Sequence, residues 1–189
     1  MSEELYTYTQ VDGDSQIEEI LQLQKKNLKS ALDKDVIITD GFVTCDHDLK
    51  LLKKMNTPHS HVIGVFDSKV IGYCLVMSPI WKDELEVLKS MFAMIERQSW
   101  DNKMITSSDY ITMGQVCIDK EHRGKGVFRK MYDHYRHVLS PHFKYCITEV
   151  ATSNHRSRDA HQAIGFEPLL SYQASDGHSW ELIIWDWNK

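Results

Sequence analysis

The sequence is short of the features that would place it outside the ordinary globular class. Its four cysteines, Cys45, Cys74, Cys117 and Cys146, are widely spaced with no Cys-x-x-Cys pair. That excludes a zinc ribbon or a dense disulfide framework and fits a reducing cytoplasm. With 4 prolines and 9 glycines in 189 residues, the collagenous and low-complexity classes fall away. No apolar run approaches the roughly twenty residues of a membrane span, and the opening MSEELYTYTQ is acidic and polar where a secretory signal is basic and then apolar. A cationic excess is also missing: 22 Lys+Arg stand against 27 Asp+Glu, a formal net charge of -5. Affinity for nucleic acid through a positive coat is therefore disfavoured, and any anion site must be local. What remains is one globular domain over residues 1–189 with a core of ordinary size, expected to be cytoplasmic, without membrane or nucleic-acid partners, and a monomer or homodimer.

The chain alternates helical and strand patterns. LYTYTQV at 5–11 reads as a strand. After it, Ser15 and Glu18 fit a capping box, and Ile17, Ile20, Leu21, Leu28 and Leu32 trace a one-sided helix up to Asp33–Asp35. A second helix is expected from Asp46 to Met55, then two strands joined at Asp67-Ser68 as an antiparallel hairpin. Residues 82–98 look helical, and WDNKMITSSD after them loop-like. The second half predicts a strand near 109–118, a helix carrying Val127, Met131, Tyr135, Val138 and Leu139, a strand at 144–151, a short helix over about 155–164, and two strands turning at Asp176-Gly177. Parallel crossover and antiparallel hairpins together imply one α/β domain with a mixed sheet.

The most informative stretch is DKEHRGKGVFRKMY, 119–132, where two glycines and several cations separate a buried strand from an amphipathic helix. The first amides of a helix have no intrahelical partner, and the helix dipole favours an anion there by roughly 0.3–1 kcal/mol. Gly124 and Gly126 allow close backbone approach, and Arg123, Lys125, Arg129 and Lys130 offer charge-assisted contacts, so a pyrophosphate-sized ligand fits. A solvated turn is the plain alternative. Two other nucleotide loops fail by counting. A dinucleotide fingerprint starting at Gly124 needs a small residue where Arg129 stands, and a P-loop needs Ser or Thr where Gly126 stands.

In these residues the chain resembles the GCN5-related N-acetyltransferases, whose acetyl-CoA loop reads Arg/Gln-x-x-Gly-x-Gly/Ala. Arg123, Gly124, Lys125, Gly126 and Val127 stand in that frame, with Phe128 in place of the last small residue and Lys120 in place of a frequent proline. Downstream, SNHRSRDAHQAIGFEPL at 153–169 resembles the family's next motif through Asn154, Ser157, Gly165 and Phe166, with His161 where tyrosine is usual. The likeness covers about residues 60–187. It implies a central, mostly antiparallel sheet with one splayed parallel pair, flanked by helices. It also implies acetyl-CoA as co-substrate, with the coenzyme held by Val116, Ile118, Arg123, Gly124, Lys125, Gly126, Val127, Phe128, Asn154 and Ser157. Asn154 has a second reading as a helix cap alone.

Amine acetylation needs a neutral amine, a stabilised oxyanion and a proton for the leaving thiolate. By position in the motif the proton donor is His161, and with an ordinary pKa near 6.5 about a quarter of it is protonated at neutral pH, so the rate should fall above about pH 7. Packing of His161 beside Phe166 is the alternative. Glu149, near a strand end, is the candidate base, with plain solvation as its alternative. Gln115 cannot be a base, and Cys117 and Cys146 read as inert core thiols. The local clusters His59–His61, His134 with His137, and Asp46-His47-Asp48 lack a third ligand at metal spacing and read as surface histidines, so no metal is expected. Trp180, Trp185 and Trp187 read as core or sheet-edge packing. The expected activity is transfer of acetyl from acetyl-CoA to a small-molecule or peptide amine by direct attack. The alternative is a non-catalytic acyl-CoA-binding or sensing module.

Overall fold

The structure, a computed structural model, describes residues 6–33, 42–83, 86–174 and 177–189. They group into two compact units, Met1–Val76 with Gly114–Val138, and Met77–Met113 with Leu139–Lys189.

In the first unit, β1 (Thr7–Gln10) pairs antiparallel with β2 (Val62–Phe66), which pairs antiparallel with β3 (Lys69–Met77). The hairpin turns at Asp67 and Ser68, with φ of 48° and 60°, the two left-handed residues that let a two-residue turn match strand twist. Helix α1 (Asp14–Asn27) buries Ile17, Ile20, Leu23, Gln24 and Asn27. Its expected capping box does not form. Gly13 is the N-cap without a side-chain bond, and the Gln16 side chain instead accepts from the Asp12 amide at 3.0 Å. The helix also stops before Leu32, because Leu28 turns extended and bridges Val43, whose amide takes the Asn27 carbonyl at 3.0 Å. Helix α2 (Leu49–Met55) starts later than Asp46, where the Asp48 side chain accepts from the Leu51 amide at 2.7 Å.

Helix α3 (Glu86–Ile95) and the small hairpin of β4 (Ser99–Trp100) and β5 (Lys103–Met104) belong to the second unit. The hairpin replaces the expected loop, and Asp101 and Asn102 form its turn with φ of 48° and 62°. Strand β6 (Tyr110–Ile118) passes from the second unit into the first, and helix α4 (Val127–Leu139) follows it. Gly64 and Gly72 are paired across β2 and β3. A Cβ on Gly72 would lie 3.0 Å from the Met131 sulfur, so the bare backbone there lets α4 pack close to the strands.

Strand β7 (Tyr145–Ala151) pairs parallel with β6 over Tyr110–Thr112 and Tyr145–Ile147. Beyond those three pairs the Thr148 hydroxyl, not an amide, donates to the Met113 carbonyl at 2.8 Å. Helix α5 (His155–Ile164) leads to β8 (Glu167–Gln173) and β9 (Ser179–Asp186), which are antiparallel to each other, and β9 is antiparallel to β7 along its whole length. The expected turn residue Asp176 lies outside the described residues, while Gly177 has φ of 83°. The seven-stranded order is β1-β2-β3-β6-β7-β9-β8, with one parallel pair, so the mixed, mostly antiparallel α/β sheet is the architecture present.

Candidate functional site

In the first unit, the chain leaves β6 at Ile118 and turns at Asp119, whose amide donates to the Ile71 carbonyl at 2.8 Å and whose carboxylate accepts from the Glu121 amide. Arg123 then ties the loop down. Its Nε donates to the Ile118 carbonyl at 2.9 Å and its Nη2 to Asn27 Oδ1 on α1 at 2.6 Å. The guanidinium expected to meet an anion is thus directed onto the strand end and α1. Beside it, the Tyr6 hydroxyl meets His122 Nδ1 at 3.0 Å, with Phe66 5.1 Å from the same imidazole between ring centroids.

Past Arg123 the loop opens. Gly124 and Gly126 have φ of 73° and 78°, and a Cβ on either would meet nothing within 4 Å. The ladder of α4 begins with the Lys130 amide donating to the Gly126 carbonyl at 3.1 Å, so the amides of residues 126–129 lie ahead of it. Val127 is buried and roots the helix, while Lys125, Arg129 and Lys130 are exposed around the turn. Phe128, in place of the small residue, lays its ring on Tyr132 at 5.0 Å. Open space over two left-handed glycines, a helix start and exposed cations suit a diphosphate. Upstream, Val116 and Ile118 are half-buried, and burial lifts the Cys117 thiol to about 12, leaving it unreactive as a nucleophile.

The first unit also contains a buried polar chain. Gln115 on β6 donates from Nε2 to the Cys45 carbonyl at 2.9 Å, and its Oε1 accepts from the Tyr73 hydroxyl at 2.7 Å and from Gln24 Nε2 at 2.9 Å. The same Gln24 nitrogen lies 2.8 Å from His47 Nδ1, and Gln24 Oε1 accepts the His47 amide at 2.9 Å. Gln115, which cannot be a base, instead joins three segments through this chain. The available signal was polarity inside the apolar stripe of α1, since Gln24 and Asn27 stand seven residues after Ile17 and Ile20.

In the second unit, the Asn154 side chain caps α5 by accepting from the Ser157 amide at 3.3 Å. Gly165 ends the helix at φ of 113°, where a Cβ would lie 2.9 Å from Trp185 Nε1. Phe166 packs edge-on to His161 at 5.1 Å and tilted on Trp185 at 5.6 Å, with Trp187 5.9 Å farther on. The downstream motif is therefore a helix with both ends specified. His161 is buried, its Nδ1–H donates to the Ser157 carbonyl at 2.7 Å, and burial pushes its pKa down to about 4. That corrects the premise of an ordinary imidazole. At neutral pH only about one molecule in a thousand carries the proton, and the expected loss of rate above pH 7 loses its basis. Glu149, half-buried on β7, accepts a hydrogen bond from the Tyr172 hydroxyl, and burial raises its pKa above the usual carboxylate value although the phenol opposes the shift.

The histidine clusters are not all surface groups. His61 is fully buried, accepting at Nδ1 from the Val76 amide at 2.9 Å and donating from Nε2 to the Leu52 carbonyl at 3.0 Å. Among the described residues no group of three or more His, Cys, Asp or Glu side chains could hold a metal ion, and no helix is long and apolar enough to cross a membrane.

The profile of the Acetyltransferase (GNAT) family matches residues 32–166. No curated protein sequence gives a match. Among solved structures, the ribosomal-protein-S18-alanine N-acetyltransferase from Escherichia coli is similar at a TM-score of 0.63 and 10% identity, covering 96% of this chain and 94% of that one. Ard1 from Thermoplasma volcanium is similar at 0.65 and 13%, with 95% of each chain covered. The protein yncA from Salmonella typhimurium, solved with its cofactor acetyl-CoA, is similar at 0.61 and 14%, covering 96% and 93%. At these identities the structural likeness establishes a shared fold.

Proposed function

The chain belongs to the GNAT acetyltransferase family, and on that premise we propose that it transfers the acetyl group of acetyl-CoA to a primary amine by direct attack. GNAT enzymes use acetyl-CoA, and the coenzyme supplies the thioester. The observation that carries the reading is the open turn over Gly124 and Gly126 at the head of α4. Backbone donors of residues 124–128 would grip the diphosphate, assisted by Lys125, and the main chain of Val116 and Ile118 would hold the amide-bearing arm. Arg123 is a positioning residue for that loop, holding it to Ile118 and Asn27. Asn154 and Ser157 set the start of α5.

In the reaction the amine nitrogen forms a bond to the acetyl carbon, the carbon–sulfur bond breaks, the amine loses a proton and the thiolate gains one. Glu149 is the proposed base, because its raised pKa brings it closer to the working pH than an ordinary carboxylate. His161 serves as packing for Phe166 rather than as the acid. The absence of an imidazolium at the motif's tyrosine position is what favours the second reading, an acyl-CoA-binding module without efficient chemistry.

A screen of amines with acetyl-CoA, reading free CoA thiol, separates the two. Thiol release that depends on an amine supports the transferase. Tight CoA binding with no amine turning over across a broad panel supports the sensing module.

A further inference from the structure

The chain of amides in the first unit has only one consistent orientation. Gln115 must present Nε2 to the Cys45 carbonyl, because the opposite flip would set two oxygens face to face. Its Oε1 is then an acceptor, so the Gln24 atom beside it is Nε2, and Gln24 Oε1 is left to accept the His47 amide, as it does. Both hydrogens of Gln24 Nε2 are thereby directed, one to Gln115 and one to His47 Nδ1. A hydrogen on His47 Nδ1 would oppose that donor. His47 is accordingly a neutral imidazole that accepts at Nδ1 and carries its hydrogen on Nε2.

Two charged groups act on it besides Gln24, and His61 lies near. Asp46 and Asp48 favour the cation, and burial outweighs the carboxylates, so its pKa lies below the ordinary value. Among the described residues the Nε2–H has no partner, and His47 is half-buried. This nitrogen already holds its hydrogen and cannot take a proton, and it repels an ammonium group. It suits an oxygen. The flanking Asp46 and Asp48 disfavour a carboxylate and favour a neutral carbonyl with a cationic amine near it. The Cys45–Gln115 bond holds this segment to β6 one residue from Val116, the position given above to the coenzyme arm.

We propose that His47 is an acceptor-recognition residue, donating from Nε2 to a neutral carbonyl oxygen beside the reacting amine and so selecting an aminoacyl amide or peptide terminus over a carbonyl-free amine. The inference rests on the transferase reading. Gln24, Gln115 and Tyr73 are positioning residues for it.

The test uses alaninamide and isopropylamine, which differ in the carbonyl beside the same amine carbon. His47→Leu is expected to raise KM for alaninamide by up to about tenfold, the loss of one neutral hydrogen bond, with isopropylamine unchanged. His47→Gln, which keeps an N–H at similar reach, should recover most of the loss. Independently of turnover, nitrogen NMR of the wild-type protein should find His47 neutral with its hydrogen on Nε2 around neutral pH. An equal effect on both amines, or an imidazole protonated at Nδ1, overturns the proposal, and the NMR result stands even if His47→Leu fails to fold. If neither these nor any other amine is turned over by wild type, the transferase reading fails and this inference with it, a result recognisable because the parent enzyme is itself silent.

Discussion

Glu149 and Tyr172 make the residue-scale case that environment, not residue type, sets chemical role. Burial raises the carboxyl pKa and the phenol partly offsets it, so activity should decline as acid protonates Glu149, with an inflection above the usual carboxylate range. Tyr172→Phe removes the opposing contribution and should move that inflection to higher pH, as read in a kcat/KM profile. Glu149→Gln should lower kcat about a hundredfold or more while coenzyme affinity holds, since loss of a general base typically costs 10² to 10⁴. An unchanged kcat would remove Glu149 from the chemistry. Sequence could nominate Glu149 by its place near a strand end. It could not reveal the phenol, twenty-three positions away on β8, because that contact depends on how β7, β9 and β8 are ordered.

At the scale of elements, α4 and α5 are both specified at their ends by glycine, with different sensitivities. Gly126→Ala places a side chain in left-handed backbone but in open space, so about 1–2 kcal/mol of strain is expected. The larger effect should appear in coenzyme Kd, because the added methyl occupies the room over the turn. Gly165→Ala carries the same strain and also drives a Cβ against the Trp185 indole, adding about 1–3 kcal/mol of overpacking. Urea melts should rank Gly165→Ala well below Gly126→Ala in stability, and equal midpoints would contradict this account. Both glycines were legible from their motifs, as were the β2–β3 hairpin and the bounds of α5. The early end of α1 was not, since it depends on Leu28 bridging Val43 across a long separation. The hairpin at Ser99–Met104 was missed because two-residue strands carry too little alternation to register, although Asp101-Asn102 are turn formers. The Gln24–Gln115 chain was hidden for a third reason: each amide reads as an isolated polar residue until α1, β3 and β6 bring them together.

For the whole molecule, acid should destabilise the fold through two buried imidazoles, one in each unit. His61 and His161 both have pKa values near 4, below the ordinary 6.5. The unfolded chain therefore binds more protons than the native one between those values. Stability from both is complete above about pH 6.5 and is lost as pH falls through 4, by up to about 3 kcal/mol for each group. Denaturant titrations stepped through that window should show the decline, and His161→Leu should flatten it, whereas a slope indifferent to that change would assign the acid sensitivity elsewhere. The division of the chain has a separate bearing on biogenesis. Each unit is assembled from two separate stretches, and the first needs Gly114–Val138 to complete it. A nascent polypeptide on the ribosome thus cannot close the half that holds the Gly124–Gly126 turn until α4 has been translated and has cleared the exit tunnel, so that half should acquire protease resistance late in synthesis rather than soon after its amino-terminal residues emerge.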